Sequence, residues 1–242
     1  SFERREREER DDRARTTRSI DDDGFAHVLV DEAQDLSPMQ WRMLGRRGRH
    51  ASWTIVGDEA QSSWPHPQES AEARKAALDG KPEHAFRLST NYRNSAEIYD
   101  LAAKVAVIAV PAPDLPEAVR RTGELPQHVV VDAPSLTAAL RTSVDDLLER
   151  VEGTVAVVAA RADLAWLGTD LADLLDAHPA RLRLLEGLDT KGLEFDDVLV
   201  CEPDALTEES SAGWRTLYVV LTRATQLLTT VGTTDRWRTR LA

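Results

Sequence analysis

The sequence predicts an α/β fold: a mostly parallel β-sheet covered by helices on both faces. Three observations carry this. Short apolar runs rich in Val, Ile and Leu recur along the chain. Longer stretches with helical periodicity lie between them. Parallel neighbours need crossover connections, and crossover helices bury both faces of the sheet, so this alternation points to a parallel sheet. Two of the apolar runs also end abruptly in polar, acidic loops, and the carboxyl ends of strands are where such sheets bind ligands.

Strands are expected at 27–30, 53–56, 86–88, 128–131, 154–159, 181–185, 198–201 and 227–231. Helices are expected near 38–47, 69–79, 94–109, 135–151, 163–177 and 211–224. The stretch 111–116, bounded by prolines, reads as a connection. Ahead of all these, residues 1 to 20 are almost purely charged. Glu3/Arg7, Glu6/Arg10 and Glu9/Arg13 stand at i,i+4 spacing, with Phe2 and Ile20 nearly the only apolar anchors. This reads as a solvated helical arm, followed by the linker Asp21-Asp22-Asp23-Gly24. A chain that begins inside such a run reads as a piece of something longer.

Composition narrows the classes. With 242 residues, 42% of them hydrophobic, the chain can build one large domain or two small ones. The net charge of -12 argues against strong nucleic-acid binding by this chain alone. A single cysteine, Cys201, excludes an internal disulfide and a cysteine-built metal site, and a cytoplasmic location fits. The sequence has neither a signal-peptide pattern nor an apolar run long enough to span a membrane.

Five segments carry candidate chemistry. In Val28-Leu29-Val30-Asp31-Glu32-Ala33-Gln34-Asp35 an apolar strand ends in two acids. There an Asp can hold Mg²⁺ on nucleotide phosphates and a neighbouring Glu can activate water, although a solvated acidic turn reads the same way. In Thr54-Ile55-Val56-Gly57-Asp58-Glu59-Ala60-Gln61-Ser62 a glutamine follows a buried strand, where it can sense a γ-phosphate or be a bystander in a Gly-Asp turn. In Leu88-Ser89-Thr90-Asn91-Tyr92-Arg93-Asn94-Ser95, Arg93 offers a fork of donors for phosphate oxygens and Tyr92 a ring for stacking; packing and a surface ion pair are the plainer reading. In Lys191-Gly192-Leu193-Glu194-Phe195-Asp196, Glu194 can accept from a ribose hydroxyl, while Phe195 suits the core. Leu217-Tyr218-Val219-Val220-Leu221-Thr222-Arg223-Ala224 is an apolar helical face presenting one arginine, either a surface residue or an arginine finger.

Taken together, in this order and spacing, the five segments resemble the later signature motifs of superfamily 1 helicases of the UvrD/Rep/PcrA type. Asp31-Glu32-Ala33-Gln34 matches the Walker B box, and Gly57-Asp58 through Gln61-Ser62 the third motif. Asn91-Tyr92-Arg93, Lys191-Gly192-Leu193-Glu194-Phe195 and Leu217 to Ala224 match the fourth, fifth and sixth. The resemblance covers residues 27 to about 231 and implies a RecA-like, P-loop NTPase-type fold with ATP and Mg²⁺ as cofactors. It implies that Asp31 binds Mg²⁺, Glu32 is the general base and Gln61 contacts the γ-phosphate. It further implies that Tyr92 stacks on adenine, Arg93 touches the γ-phosphate, Glu194 holds the ribose and Arg223 stabilises the transition state. Trp64 lies where the family often places an aromatic that stacks on single-stranded bases, though Pro65-His66-Pro67 departs from the pattern.

Two departures refine the expectation. The phosphate-cradling G-x-x-x-x-G-K-[ST] is absent; Gly80-Lys81 is followed by Pro82. The segment carrying it is expected upstream, in a missing N-terminal part of the same chain. Helicases of this type also carry a Thr and a His facing nucleic acid before K-G-L-E-F, and here those places hold Glu186 and Leu188. Asp35-Leu36-Ser37-Pro38-Met39-Gln40-Trp41-Arg42-Met43-Leu44 further resembles the HelD subgroup, the RNA polymerase-associated ATPases with long helical arms. The expected organisation is an arm and linker over 1–27, the C-terminal part of a first RecA-like core domain over 28–84, and a second core domain over 85–242. The expected function is an ATP-dependent helicase-like motor acting on RNA polymerase, with weak nucleic-acid binding and no membrane contact. A 3′–5′ DNA helicase or translocase of the UvrD type is the alternative.

Overall fold

The computed structural model describes residues 24–62 and 67–241, so the charged arm and Trp64 lie outside the described residues. The described residues fall into two compact units, one of 24–58 and 67–84, the other of 59–62 and 85–241.

In the first unit, β1 (His27–Val30) pairs in parallel with β2 (Ser52–Ile55), Val30 opposite Ile55. Helix α1 (Pro38–Arg47) starts where the sequence tells it to. The Ser37 hydroxyl accepts from the Gln40 N–H, the Gln40 side chain accepts from the Ser37 N–H, and Pro38 occupies the first turn. Trp41 of α1 is buried with Val28, Val30, Ala33, Ala51 and Ala73, the last from α2 (Pro67–Ala77). The two helices approach closely because Gly45 has no side chain: a Cβ there would lie 2.9 Å from that of Ala77. Unlike the two-sided burial expected of a parallel sheet, β1 alternates. Val28 and Val30 face this core, whereas Leu29 is 69% exposed.

The second unit is built on a five-stranded, wholly parallel sheet in the order β5 (Gln127–Val130), β9 (Ala224–Gly232), β8 (Phe195–Cys201), β6 (Val155–Ala159), β7 (Leu182–Glu186). Val157 sits opposite Leu184 on one side and Leu199 on the other, and Leu199 opposite Thr229. All five residues of β6 are buried, which is why this strand reads as a continuous apolar run. On one face pack Ile98, Ala102 and Val105 of α3 (Ala96–Ala109) with Leu217, Val220 and Leu221 of α8 (Gly213–Leu221). The opposite face holds Leu140, Val144 and Leu147 of α4 (Leu136–Arg150) with Leu167 of α5 (Leu164–Asp170). This is the α/β, helix-covered parallel sheet the sequence predicts, consistent with the RecA-like expectation. Residues 59–62 join this unit through Ala60, buried in the same core as Ile98 and Val158.

Several expectations shift. The strand expected at 86–88 is instead β3 (Thr90–Ser95), paired in parallel with β4 (Glu117–Arg120), and Phe86 and Leu88 are 94% and 84% exposed. Pairing starts where Glu117 N–H donates to the Ser89 carbonyl, so the ladder takes the polar residues that follow the apolar run. The helix expected over 163–177 is two, α5 and α6 (Ala172–Ala177), divided at Leu171. The short helices α7 (Pro203–Glu208) and α9 (Arg236–Thr239) have no counterpart in the sequence reading; the buried Asp204 carboxylate fixes the latter by accepting the N–H groups of Arg236 and Trp237. No helix among the described residues is long and apolar enough to cross a membrane.

One buried group stands out. Asp197 of β8 is fully enclosed, and its carboxylate oxygens make no hydrogen bond of good geometry, the Leu227 N–H offsetting only part of the burial. Burial pushes its carboxyl up to about 7, and the charge of Asp196 adds to the effect.

Candidate active site

In the first unit the chain leaves β1 directly into Asp31 and Glu32, both exposed. Glu32 adopts a left-handed backbone at φ 49°, uncommon for a residue with a side chain and a form of strain that gathers at functional positions. Its N–H donates to Asp31 Oδ1 at 2.9 Å, holding the two carboxylates in one turn. Gln34 organises the rest. Its Nε2 donates to Glu32 Oε2 at 2.6 Å, and its Oε1 accepts the N–H of Asp58 at 3.0 Å. Gly57 makes that approach feasible, since a Cβ there would lie 2.8 Å from Gln34 Oε1. The loops after β1 and β2 are also joined directly, Ala33 N–H donating to the Val56 carbonyl at 3.0 Å. The sequence reading gave Gln34 no role; its place in the Asp31-Glu32-Ala33-Gln34 run was the available signal.

The second unit holds Gln61, Tyr92, Arg93, Glu194 and Arg223. Arg223 follows α8 and is 3% exposed, not the surface residue that a helix end suggests. Its Nε donates to the Val219 carbonyl at 3.0 Å, and its Nη2 donates to Gln61 Oε1 at 2.7 Å. Lys191 Nζ donates to the Gln61 carbonyl at 2.8 Å, so the glutamine is held by two cations. Gly192, at φ 71°, turns the chain after Lys191 as only a glycine does readily and leads to Glu194. Glu194 Oε1 pairs with Arg93 Nη2 at 2.5 Å, each side chain about half exposed. Tyr92 beside it is 74% exposed, an available ring.

The structure thus places Asp31 with Glu32 in one unit, and Gln61 with Arg223 and Arg93 with Glu194 in the other. An exposed strand-end carboxylate suits Mg²⁺, a hard cation usually held by one or two carboxylates together with substrate phosphates. No group of three or more His, Cys, Asp or Glu side chains arranged to hold a metal occurs among the described residues. At the carboxyl end of β7, Glu186 pairs with Arg161 at 3.0 Å, raising the Arg161 pKa, and Leu188 is 43% exposed. The acid at this position therefore pairs with a neighbouring arginine that lies 25 positions earlier in the chain.

Residues 14–65 match the family model described as the UvrD/REP helicase N-terminal domain, a stretch that includes Asp31, Glu32 and Gln61. Among solved structures, the chain is similar to the C-terminal domain of a possible DNA helicase from Lactobacillus plantarum WCFS1. The identity is 20% and the TM-score 0.47, over 63% of this chain and 94% of that one. No curated protein matches the sequence.

Proposed function

We propose that this chain is part of a UvrD-like, ATP-dependent motor in which ATP hydrolysis drives domain closure, with 28–84 belonging to one RecA-like core domain and 85–242 forming the second. The observation that carries the reading is the cluster of Arg223, Gln61 and Lys191. A buried arginine held in place by carbonyls and by a glutamine suits a preorganised charge-stabilising group better than a surface ion pair.

Each residue has a task that its surroundings support. Asp31 would hold Mg²⁺, which would neutralise phosphate charge. Glu32, oriented by Gln34, accepts a proton from the attacking water. Gln61 reports phosphate occupancy to Arg223, because its Oε1 is already the partner of that guanidinium. Arg223 donates to the charge that develops on the phosphate oxygens. Tyr92 stacks on the adenine, Glu194 accepts from a ribose hydroxyl and Arg93 donates to phosphate, the last two exchanging their mutual ion pair for contacts to nucleotide.

We assign the motor to the HelD-like kind, with RNA polymerase as partner. The support is the net charge of -12, the leucine at 188 and the neutralised Arg161–Glu186 pair, which together oppose a polyanionic track. The test is a binding titration of the full-length protein with RNA polymerase and with labelled single-stranded DNA at physiological salt. Polymerase binding with weak DNA binding supports the assignment. Tight DNA binding with strong ATPase stimulation and no polymerase binding leaves the UvrD-type helicase or translocase.

A further inference from the structure

Asn94 lies in the 88–95 segment without a role assigned from sequence, yet it joins the two arginine-bearing turns of the second unit. It is 2% exposed. Its Nδ2 donates to the Thr222 carbonyl at 2.9 Å and to the Ala224 carbonyl at 2.7 Å, the residues on either side of Arg223. Its Oδ1 accepts from Asn91 Nδ2 at 2.9 Å. Asn91 Oδ1 in turn accepts the N–H groups of Arg93 at 2.9 Å and Asn94 at 3.2 Å. A second side chain makes a parallel tie, Arg120 Nη2 donating to the carbonyls of Arg93 and Thr225.

The chemistry of these bonds is specific to a carboxamide. A primary amide offers two N–H donors at one end and an acceptor at the other, and here each is committed. An aspartate would put acceptors against two carbonyls, a serine would supply one donor, and an alanine would leave two buried carbonyls without this partner. Every bond Asn94 makes also ends on a segment that carries Arg93 or Arg223. A residue needed only to fill space would be apolar, since a buried polar network repays its desolvation only when fully satisfied.

We propose that Asn94 is a positioning residue for nucleotide hydrolysis, fixing the Arg93 turn and the Arg223 turn relative to each other so that both guanidinium groups address phosphate at once. The proposal rests on the nucleotide reading above. The experiment is a double-mutant cycle in the full-length protein. It measures steady-state Mg-ATP hydrolysis for Asn94→Ala, Arg223→Ala and the double variant, with thermal melting as a folding control. Asn94→Ala should lower kcat about a hundredfold with KM changed by less than about threefold, since misplacement by roughly an ångström costs that much. In the double variant it should add clearly less to Arg223→Ala than it costs alone, because the part of its effect that passes through that arginine is already lost. Asn94→Ser, which keeps one donor, should recover part of kcat, and it takes the place of Asn94→Ala in the cycle if the alanine variant does not fold. A folded Asn94→Ala enzyme with unchanged kcat, or losses that multiply in the double variant, overturns the positioning role alone. An unchanged kcat in Arg223→Ala overturns the nucleotide reading and this proposal with it.

Discussion

Arg223 Nη2 donates to Gln61 Oε1 at 2.7 Å, joining residues 162 positions apart in the chain. The same guanidinium bonds the Val219 carbonyl, so one planar group serves two differently directed acceptors. Lysine cannot reproduce that fork. Arg223→Lys in the full-length protein should therefore lower ATPase kcat by about a hundredfold or more. It should also destabilise the fold by about 1 kcal/mol, because it removes buried hydrogen bonds made by the guanidinium. Steady-state hydrolysis and thermal melting of the same preparations check both parts.

Asp197 gives the fold a pH dependence of defined sign. Its carboxyl is raised from 3.8 to about 7, first by burial and then by Asp196, against the Leu227 N–H and the opposing charges of Arg150 and Arg181. The folded state therefore binds a proton that the unfolded chain releases. This contribution to stability is fully present below about pH 4 and is lost as pH rises through 7, at up to about 1.4 kcal/mol per pH unit. Asp197→Asn, neutral throughout, should match the wild type at low pH and exceed it at pH 8. Denaturant melts from pH 3.5 to 8.5 measure this; parallel curves for the two proteins would contradict it.

The 242-residue chain by itself should not hydrolyse ATP at a useful rate. Its sequence contains no G-x-x-x-x-G-K-[ST], the loop that supplies backbone donors and a lysine to the β- and γ-phosphates. Its folded sheet should nonetheless form, since β6, β8 and β9 are buried within the second unit. Circular dichroism of the purified chain alongside a phosphate-release assay tests the two statements together. Robust Mg²⁺-dependent turnover would show that the nucleotide site has been misplaced.

At the end of β7, removing the acid should expose an arginine. Glu186→Thr releases Arg161 from its 3.0 Å ion pair, and Leu188→His adds a donor nearby. The double variant of the full-length protein should bind single-stranded DNA more tightly, with a salt dependence steeper by about one phosphate contact. Fluorescence anisotropy at low and physiological salt reads both quantities, and unchanged or weaker binding would contradict the assignment of this face.

The sequence made the central strands legible. Val155 to Ala159 form an unbroken apolar run because both their faces are covered. β4 was hidden because Glu117-Ala118-Val119-Arg120 lies in a two-stranded ladder and is only partly covered. Phe86 and Leu88 misled because an apolar run does not say which residues will find a backbone partner. At the candidate site, Asp31, Glu32 and Arg223 were singled out by the order and spacing of the five segments. Their supports were not: the bonds from Asn94 to the carbonyls flanking Arg223 span 128 and 130 positions, and the Arg161–Glu186 pair spans 25. Such pairings are created by the tertiary fold and leave no periodicity in the chain.

The most direct test of the account is nucleotide binding and turnover by the full-length protein carrying Glu32→Gln. The substitution keeps the size of the side chain and removes the proton acceptor, whose contribution to rate is typically 10²–10⁴-fold. The account predicts nucleotide affinity close to wild type, with kcat reduced by about a hundredfold or more. Hydrolysis at the wild-type rate, or an equal loss of affinity and rate, would contradict a catalytic role for Glu32 and with it the assignment of this site.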